Sequence, residues 1–178
     1  MKSKIQPMKA LKISILAWFM AFGTLTASAY ATDVLEWEVG AQMVYATKGN
    51  MPGTGIHFKT HYLDALRTTF SGNYFFKKNG VSCYDVNLEE NYIFNVGEKL
   101  QLYPLIGCSA VIWKADDVNT SGWNFDKSDK THYEIGFNVG GGIDYLMGER
   151  WLLNAEVKYQ FIKNANQVLI GVGIGYRF

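Results

Sequence analysis

Proline and charge are both scarce in this sequence. Pro accounts for 3 of 178 residues, and the four charged residue types together make up 19%, below the roughly 25% of average soluble domains. A formal net charge of +1 provides no basic excess for nucleic acid, so we expect no nucleic-acid partner. With 2 cysteines, the chain is not a disulfide-rich scaffold either.

Long apolar runs are also missing, apart from one near the start. Basic residues from Lys2 to Lys12 precede the uncharged apolar run Ile13–Phe22, and small residues follow up to Ala29 and Ala31. This order predicts a secretory signal peptide over residues 1–31, cleaved after Ala29 or Ala31, and a mature domain over residues 32–178. An uncleaved helical anchor is the alternative, but the run is shorter than the ~20 residues that a membrane span needs.

Aromatic residues (15%) and 18 glycines are abundant in the chain, and apolar and polar residues alternate with the period of a β-strand. The alternation extends over eight runs of ten or more residues each. Soluble strands average ~5–6 residues, whereas tilted membrane strands need ~9–11. We therefore predict an all-β fold, an eight-stranded antiparallel up-and-down transmembrane β-barrel. The runs are Val34–Ala46, Thr54–Leu63, Leu66–Lys77, Ser82–Phe94, Lys99–Trp113, His132–Met147, Arg150–Ile162 and Gln167–Phe178.

The connections between the runs alternate in length. With the N-terminus of the barrel in the periplasm, the second, fourth and sixth connections are periplasmic, and they are short, near Asp64, Val96–Glu98 and Gly148–Glu149. The outer connections include Thr47–Gly53 and the long Lys114–Thr131. Short periplasmic turns and longer outer loops are the pattern of outer-membrane barrels.

The fifth run is the least regular because it contains Pro104, and proline cannot donate to a β-ladder. We predict a β-bulge near Tyr103 and Pro104, which leaves the direction of the later side chains in this run open. Whether Cys83 and Cys108 lie on one face is therefore open as well. The compartment permits a disulfide, but we favour two free thiols.

The two alternating faces differ in size and polarity. One carries Trp, Tyr, Phe, Ile and Val, and the other carries Gly, Asn, Gln and charged residues. Because eight strands leave a lumen just wide enough for side chains, we place the bulky apolar face against lipid; a soluble carrier with an apolar interior is the alternative. Buried charges need partners, so we predict a charge network in the lumen, with a narrow ion path as the alternative. Its members are Glu36, Glu38, Lys59, Arg67, Asp85, Glu89, Glu134, Asp144, Glu156, Lys158 and Arg177.

The last residues of the sequence form a recognisable pattern. The alternating strand that ends in Gly175-Tyr176-Arg177-Phe178 resembles the signal that the barrel-assembly machinery reads. With the signal peptide and the eight runs, the chain resembles the small OmpA/OmpX-type barrels of Gram-negative bacteria. The stretches Asp85–Leu88, Asn91–Phe94, Gly97–Lys99 and Leu102–Gly107 resemble the outer membrane protein beta-barrel domain group, often labelled porin family. The resemblance implies an integral outer-membrane location, with Tyr176 and Phe178 as the assembly signal.

The candidate catalytic and metal-binding residues do not form a complete site on the alternating strands. Glu36 and Glu38 lie ~6.5 Å apart on one strand face, which suits acid/base chemistry, but an eight-stranded lumen has no room for a substrate cleft. Barrels of the lipid A-deacylating type carry a His-x-Ser pair, and His132-Tyr133-Glu134 lacks its serine nucleophile. His57 and His61 are ~13 Å apart along a strand, too far to share a metal. We expect no enzyme and no metal or other cofactor, with a lipid A-modifying barrel enzyme as the weakest alternative.

We therefore predict an integral outer-membrane barrel with a structural or surface-interaction role and a polar, largely plugged lumen. A narrow porin-like channel for small solutes is the alternative. The expected partners are outer-membrane lipids, lipopolysaccharide and, during biogenesis, the barrel-assembly machinery, and we expect a monomer. The connection Lys114–Thr131, which carries Trp123 and Phe125, is the candidate contact surface.

The predicted fold has a consequence on denaturing gels. A closed transmembrane barrel has all its backbone groups paired and resists SDS until it is boiled, so unheated protein should migrate differently from the boiled chain. The measurement is electrophoresis of heated and unheated samples from separated membrane and soluble periplasmic fractions. Recovery in the soluble fraction, with no change in migration, would contradict the membrane barrel.

Overall fold

The structure is a computed structural model that describes residues 36–63, 65–78, 80–115, 131–163 and 165–178. The predicted signal peptide, residues 1–31, lies outside these ranges and stays a prediction. Most of the candidate contact surface Lys114–Thr131 lies outside them too. Within the described ranges, no helix has the length and hydropathy to cross a membrane.

The described residues form one closed sheet of antiparallel strands. The strands are β1 (Glu36–Ala46), β2 (Met51–Leu63), β3 (Leu66–Lys78), β4 (Val81–Tyr92), β5 (Phe94–Asn95), β6 (Leu100–Ala115), β7 (Thr131–Met147), β8 (Trp151–Ile162) and β9 (Gln167–Arg177). Each long strand pairs with its neighbour in the chain, β9 pairs with β1, and the short β5 prolongs β4 against the start of β6. The predicted eight-stranded up-and-down barrel is confirmed.

The two ends of the barrel have different connections. The connections after Leu63, Asn95 and Met147 lie at the end that carries Glu36 and Phe178, which we call the terminal end. The opposite end, which carries the remaining connections, is called the loop end. The strand bounds agree with the predicted runs to within a few residues, because both follow the same alternation of buried and exposed side chains.

The predicted bulge at Pro104 is wrong. β6 pairs with β7 without a register shift on either side of Pro104. The carbonyl of Leu100 accepts a hydrogen bond from the Val96 amide on the side of β6 away from β7. Because the hydrogen-bonding direction alternates from residue to residue along a strand, the ring nitrogen of Pro104 points to that same side. On that side, the pairing of β6 with β4 and β5 has a gap between Leu102 and Leu105. Proline is accommodated because it removes no ladder hydrogen bond at this position.

The two cysteines lie on opposite faces of the barrel wall. Cys83 is buried in the lumen opposite Trp113, whereas Cys108 lies opposite Leu88 on the outer face. Both are free thiols, as favoured from the sequence. The wall itself separates their sulfur atoms, so the two cannot form a disulfide.

The lumen contains two layers of side chains. At the loop end the inward residues form a buried apolar layer. Toward the terminal end most inward residues are polar or charged and form the polar layer, beside a small buried apolar cluster of Ile93, Tyr103 and Leu105. The prediction of a polar lumen therefore holds for the polar layer alone, since the sequence reasoning placed no apolar set inside. The apolar layer consists of Val44, Ala46, Met51, Phe75, Val81, Cys83, Val111, Trp113, Ile162, Ala165 and Leu169.

Glycines make room for the large side chains of the lumen. Gly107 lies directly opposite Glu89, and Gly140 lies opposite Lys158. A methyl group added at Gly107 would lie 2.8 Å from the Cα of Glu89, and one at Gly140 would lie 2.6 Å from the Cα of Lys158. The larger residue of each pair can therefore extend inward only because its partner has no side chain. The same cross-strand pairing joins Gly40 with His57, Gly55 with Asn73, Gly136 with Ser109 and Gly142 with Tyr103.

Gly140→Ala should destabilise the barrel by about 1–3 kcal/mol, the range for overpacked interiors. Gly72 faces outward, where the nearest atom to an added methyl group is 4.0 Å away, so Gly72→Ala is the matched control and should change stability by less than about 0.5 kcal/mol. Urea unfolding in lipid vesicles, followed by tryptophan fluorescence, measures both variants. Equal effects of the two substitutions would contradict the role assigned to the lumen glycine.

Candidate functional site

Lys158 is the centre of one ion-pair cluster in the polar layer. Its Nζ lies 2.7 Å from Glu89 Oε1 and 3.1 Å from Glu156 Oε1. β8 supplies Lys158 and Glu156 from adjacent inward positions, while Glu89 extends across the lumen from β4. Asn138 of β7 also donates to Glu89, at 2.8 Å. The cluster thus joins strands that are not neighbours in the sheet.

Arg67 and Lys59 form a second cluster in the polar layer. Arg67 Nη1 donates to Asp144 Oδ2 at 2.5 Å, and Lys59 Nζ lies 2.9 Å from Glu38 Oε1 and 3.8 Å from Asp144 Oδ1. The guanidinium group of Arg67 is also 4.5 Å from the centroid of the Tyr103 ring, a distance that suits a cation–π contact. The five side chains come from five different strands, so barrel closure is what brings them together.

Amide side chains link the charged residues, and the sequence reasoning did not include them as site residues. Asn73 donates to Asp85 Oδ1 at 2.7 Å and Asn87 donates to the same oxygen at 3.0 Å. Asn154 donates to Asp144 at 2.6 Å. These amides occupy the inward positions of the alternating pattern, and that is the signal by which they can be found. They supply hydrogen bonds to Asp85 Oδ1 and Asp144 Oδ1 in addition to the ion pairs.

Three members of the predicted network lie nearer the ends of the barrel. Arg177 Nη1 is 3.3 Å from Glu36 Oε2, where the Glu36 side chain is 49% exposed, and Arg177 Nη2 is 4.0 Å from Glu38. Glu36 and Glu38 thus share a cation instead of facing a cleft as an acid/base pair. Glu134 lies toward the loop end, where it contacts His132 at 2.7 Å, apart from both clusters.

The charges in the two clusters alternate in sign. Lys158 lies between two carboxylates, and Asp144 lies between Lys59 and Arg67. Pairing of this kind is required because an unpaired ion in a low-dielectric interior carries a large desolvation penalty. Chemically, the arrangement can hold the strands in one register and fill the cross-section of the lumen.

The closed barrel is similar to solved outer-membrane proteins. No protein-family model and no curated protein matches the chain. The N-terminal β-barrel domain of Pseudomonas aeruginosa OprF has a TM-score of 0.66 at 18% sequence identity, covering 83% of this chain and 100% of that one. The fold is that of the small outer-membrane β-barrels.

Two further small outer-membrane β-barrels agree with this assignment. Neisserial surface protein A, NspA, has a TM-score of 0.63 at 16% identity over 81% of this chain and 97% of its own. Yersinia pestis Ail, solved in complex with the heparin analogue sucrose octasulfate, has a TM-score of 0.58 at 14% identity over 82% and 100%. The resemblance to OmpA/OmpX-type barrels is confirmed at the level of the fold.

Lys158→Met should destabilise the barrel by about 3–5 kcal/mol, because it leaves Glu89 and Glu156 without their shared cation. Lys163 is exposed at the loop end, so Lys163→Met is the matched control, with an expected loss below about 1 kcal/mol. Adding Glu89→Gln to Lys158→Met should restore part of the stability by removing one uncompensated charge. Urea unfolding midpoints in lipid vesicles report all three variants. A double variant no more stable than Lys158→Met would argue against the ion pair.

Proposed function

We propose that the protein is an integral outer-membrane barrel with a closed lumen and a structural or surface-interaction role. The observation that carries the proposal is the stacking of two filled layers in one lumen. The apolar layer contains buried aromatic side chains, Phe75 and Trp113, and the polar layer contains the ion pairs of Arg67 and Lys158. A solute would have to displace both layers to cross.

The outer surface of the barrel supports the membrane location. Ile56 is 69% exposed, and most outward side chains on the long strands are likewise apolar. A continuous apolar surface of this kind would drive association in water, whereas lipid solvates it. The aromatic pairs Trp151–Tyr176 and Tyr74–Tyr84 lie toward the terminal end and the loop end respectively, as rings do at the two interfaces of a membrane.

The last strand supports the proposed assembly signal. The Phe178 amide donates to the Trp37 carbonyl at 2.9 Å, and the Phe178 carbonyl accepts from the Trp37 amide at 3.3 Å, so the final residue helps to close the sheet. A closing strand that ends in Tyr176 and the exposed Phe178 suits recognition by the barrel-assembly machinery. Because closure leaves no free edge in the described sheet, we propose that the barrel is a monomer.

The loop end carries a basic rim that suits anionic lipopolysaccharide. Its lysines are Lys48, Lys77, Lys78, Lys114 and Lys163. Lys114 Nζ lies 5.1 Å from the centroid of the Tyr84 ring, which places the ammonium group beside an outward aromatic residue. Glu134, an acid toward this end, contacts His132. We propose that the rim meets phosphate groups of the outer leaflet.

A lipid A-modifying activity has less support than a non-catalytic role. The His132 ring and Glu134 are 2.7 Å apart, which is a base oriented by an acid, but such a pair still needs a nucleophile. Ser128 and Asp129, nearby in the chain, lie outside the described residues. We therefore propose a non-catalytic barrel.

Planar-bilayer recording tests the closed lumen. The wild-type protein should show no steady single-channel steps. Phe75→Ala with Trp113→Ala, which thins the apolar layer, should also be silent, because the polar layer still fills the lumen. Adding Arg67→Ala and Lys158→Ala should produce steps, because both layers are then opened.

The recordings need a control for folding. Each variant is first checked for heat-modifiable migration on gels, so that an unfolded chain is not counted as a closed barrel. Steady steps from the wild-type protein would overturn the closed lumen and favour the narrow channel.

A further inference from the structure

Glu90 is an acidic side chain on the outer face of the barrel. It lies in β4 between Leu88 and Tyr92, opposite Thr68 of β3 and Ile106 of β6, and it is exposed. Among the outward positions of the described strands, it is the one acidic residue. A charge on a lipid-facing strand is energetically unfavourable, and its presence marks a position to examine for function.

Two hydroxyl groups orient the Glu90 carboxylate. The Tyr62 hydroxyl donates to Oε2 at 2.8 Å, and Thr68 Oγ1 donates to Oε1 at 2.7 Å. Each carboxylate oxygen can accept a further hydrogen bond. The hydroxyls hold the negative charge in place without neutralising it.

Glu90 lies at the depth of the membrane interface. Its partner Thr68 is two residues from the start of β3, at the terminal end. Two residues span ~7 Å along a strand, and less along the membrane normal when the strand is tilted. The Tyr92 and Phe94 rings, with centroids 4.8 Å apart, lie beside it at the level where aromatic residues meet lipid headgroups.

The charge of Glu90 and its depth together specify a partner. The contacts described for its carboxylate are to hydroxyl groups, so the complementary cation has to come from outside the described chain. The group that faces this level of a membrane protein is a lipid headgroup. A primary ammonium has three N–H donors, enough for both carboxylate oxygens. A quaternary headgroup has no N–H donor, and an anionic headgroup is repelled.

We propose that Glu90, oriented by Tyr62 and Thr68, binds the primary ammonium of an aminophospholipid headgroup in the leaflet at the terminal end. This inference rests on the proposed membrane location.

Lipid retention tests the proposal. The protein is reconstituted into vesicles of equal parts phosphatidylethanolamine and phosphatidylcholine, which have the same net charge and differ in whether the ammonium donates hydrogen bonds. Native mass spectrometry after detergent extraction counts the lipids that remain bound. The wild-type protein should retain about two- to fivefold more phosphatidylethanolamine, the ratio that one exposed ion pair supports. Glu90→Gln should bring the ratio close to one.

Glu98→Gln is the matched control, because it removes an acid from the turn at the same end and should leave the ratio unchanged. Heat-modifiable migration in the vesicles reports insertion separately, so a folded barrel without lipid preference counts against this inference and not against the membrane location. An absent preference in the wild-type protein, or an unchanged ratio in Glu90→Gln, would overturn it. A lower unfolding midpoint for Glu90→Gln with an unchanged ratio would assign Glu90 to hydrogen bonding within the wall, which also overturns the proposal.

Discussion

The narrow lumen governs both the packing and the charge pairing of this barrel. Eight tilted strands enclose an interior about as wide as the side chains that fill it, so a long side chain needs space opposite it or a partner of opposite charge. Gly140 supplies this space opposite Lys158, as Gly107 does opposite Glu89, whereas Lys59 lies opposite the oppositely charged Glu38. The same narrowness brings opposite charges from distant strands into contact. Packing and electrostatics in this barrel therefore have a common cause.

The two layers of the lumen act on the fold in different ways. In the polar layer, Lys158 reaches Glu89 and Arg67 reaches Asp144 on strands that are not their neighbours. A shift of one residue in any of these strands would turn a charge toward lipid. The ion pairs therefore favour one register over the others. The apolar layer around Phe75 and Trp113 has no such directional preference, and it contributes burial of apolar surface.

The outer face has the opposite requirements, because lipid accepts bulky apolar side chains of almost any shape. Polar groups on this face need a separate explanation, and they differ between the two ends. The loop end carries the basic rim, and the terminal end carries Glu90 with its two hydroxyl donors. The lipid contacts proposed for these ends are opposite in sign, phosphate at one and ammonium at the other. A barrel with such ends would match a membrane whose leaflets differ in headgroup chemistry.

The amino-acid sequence is enough to predict the strands, the face to which their side chains point and the positions of the short turns, because these properties belong to a single extended segment and its alternation. Which inward residues meet depends on how the whole sheet folds. Arg67 and Asp144 are 77 residues apart, and their pairing requires the sheet to close with one particular stagger. Closure of the sheet also places Pro104 beside a gap in the pairing of β6 with β4 and β5. It brings Cys83 and Trp113 together in the apolar layer. Alternation along one strand specifies inward or outward, whereas the neighbours inside the lumen depend on how all eight strands are tilted and joined.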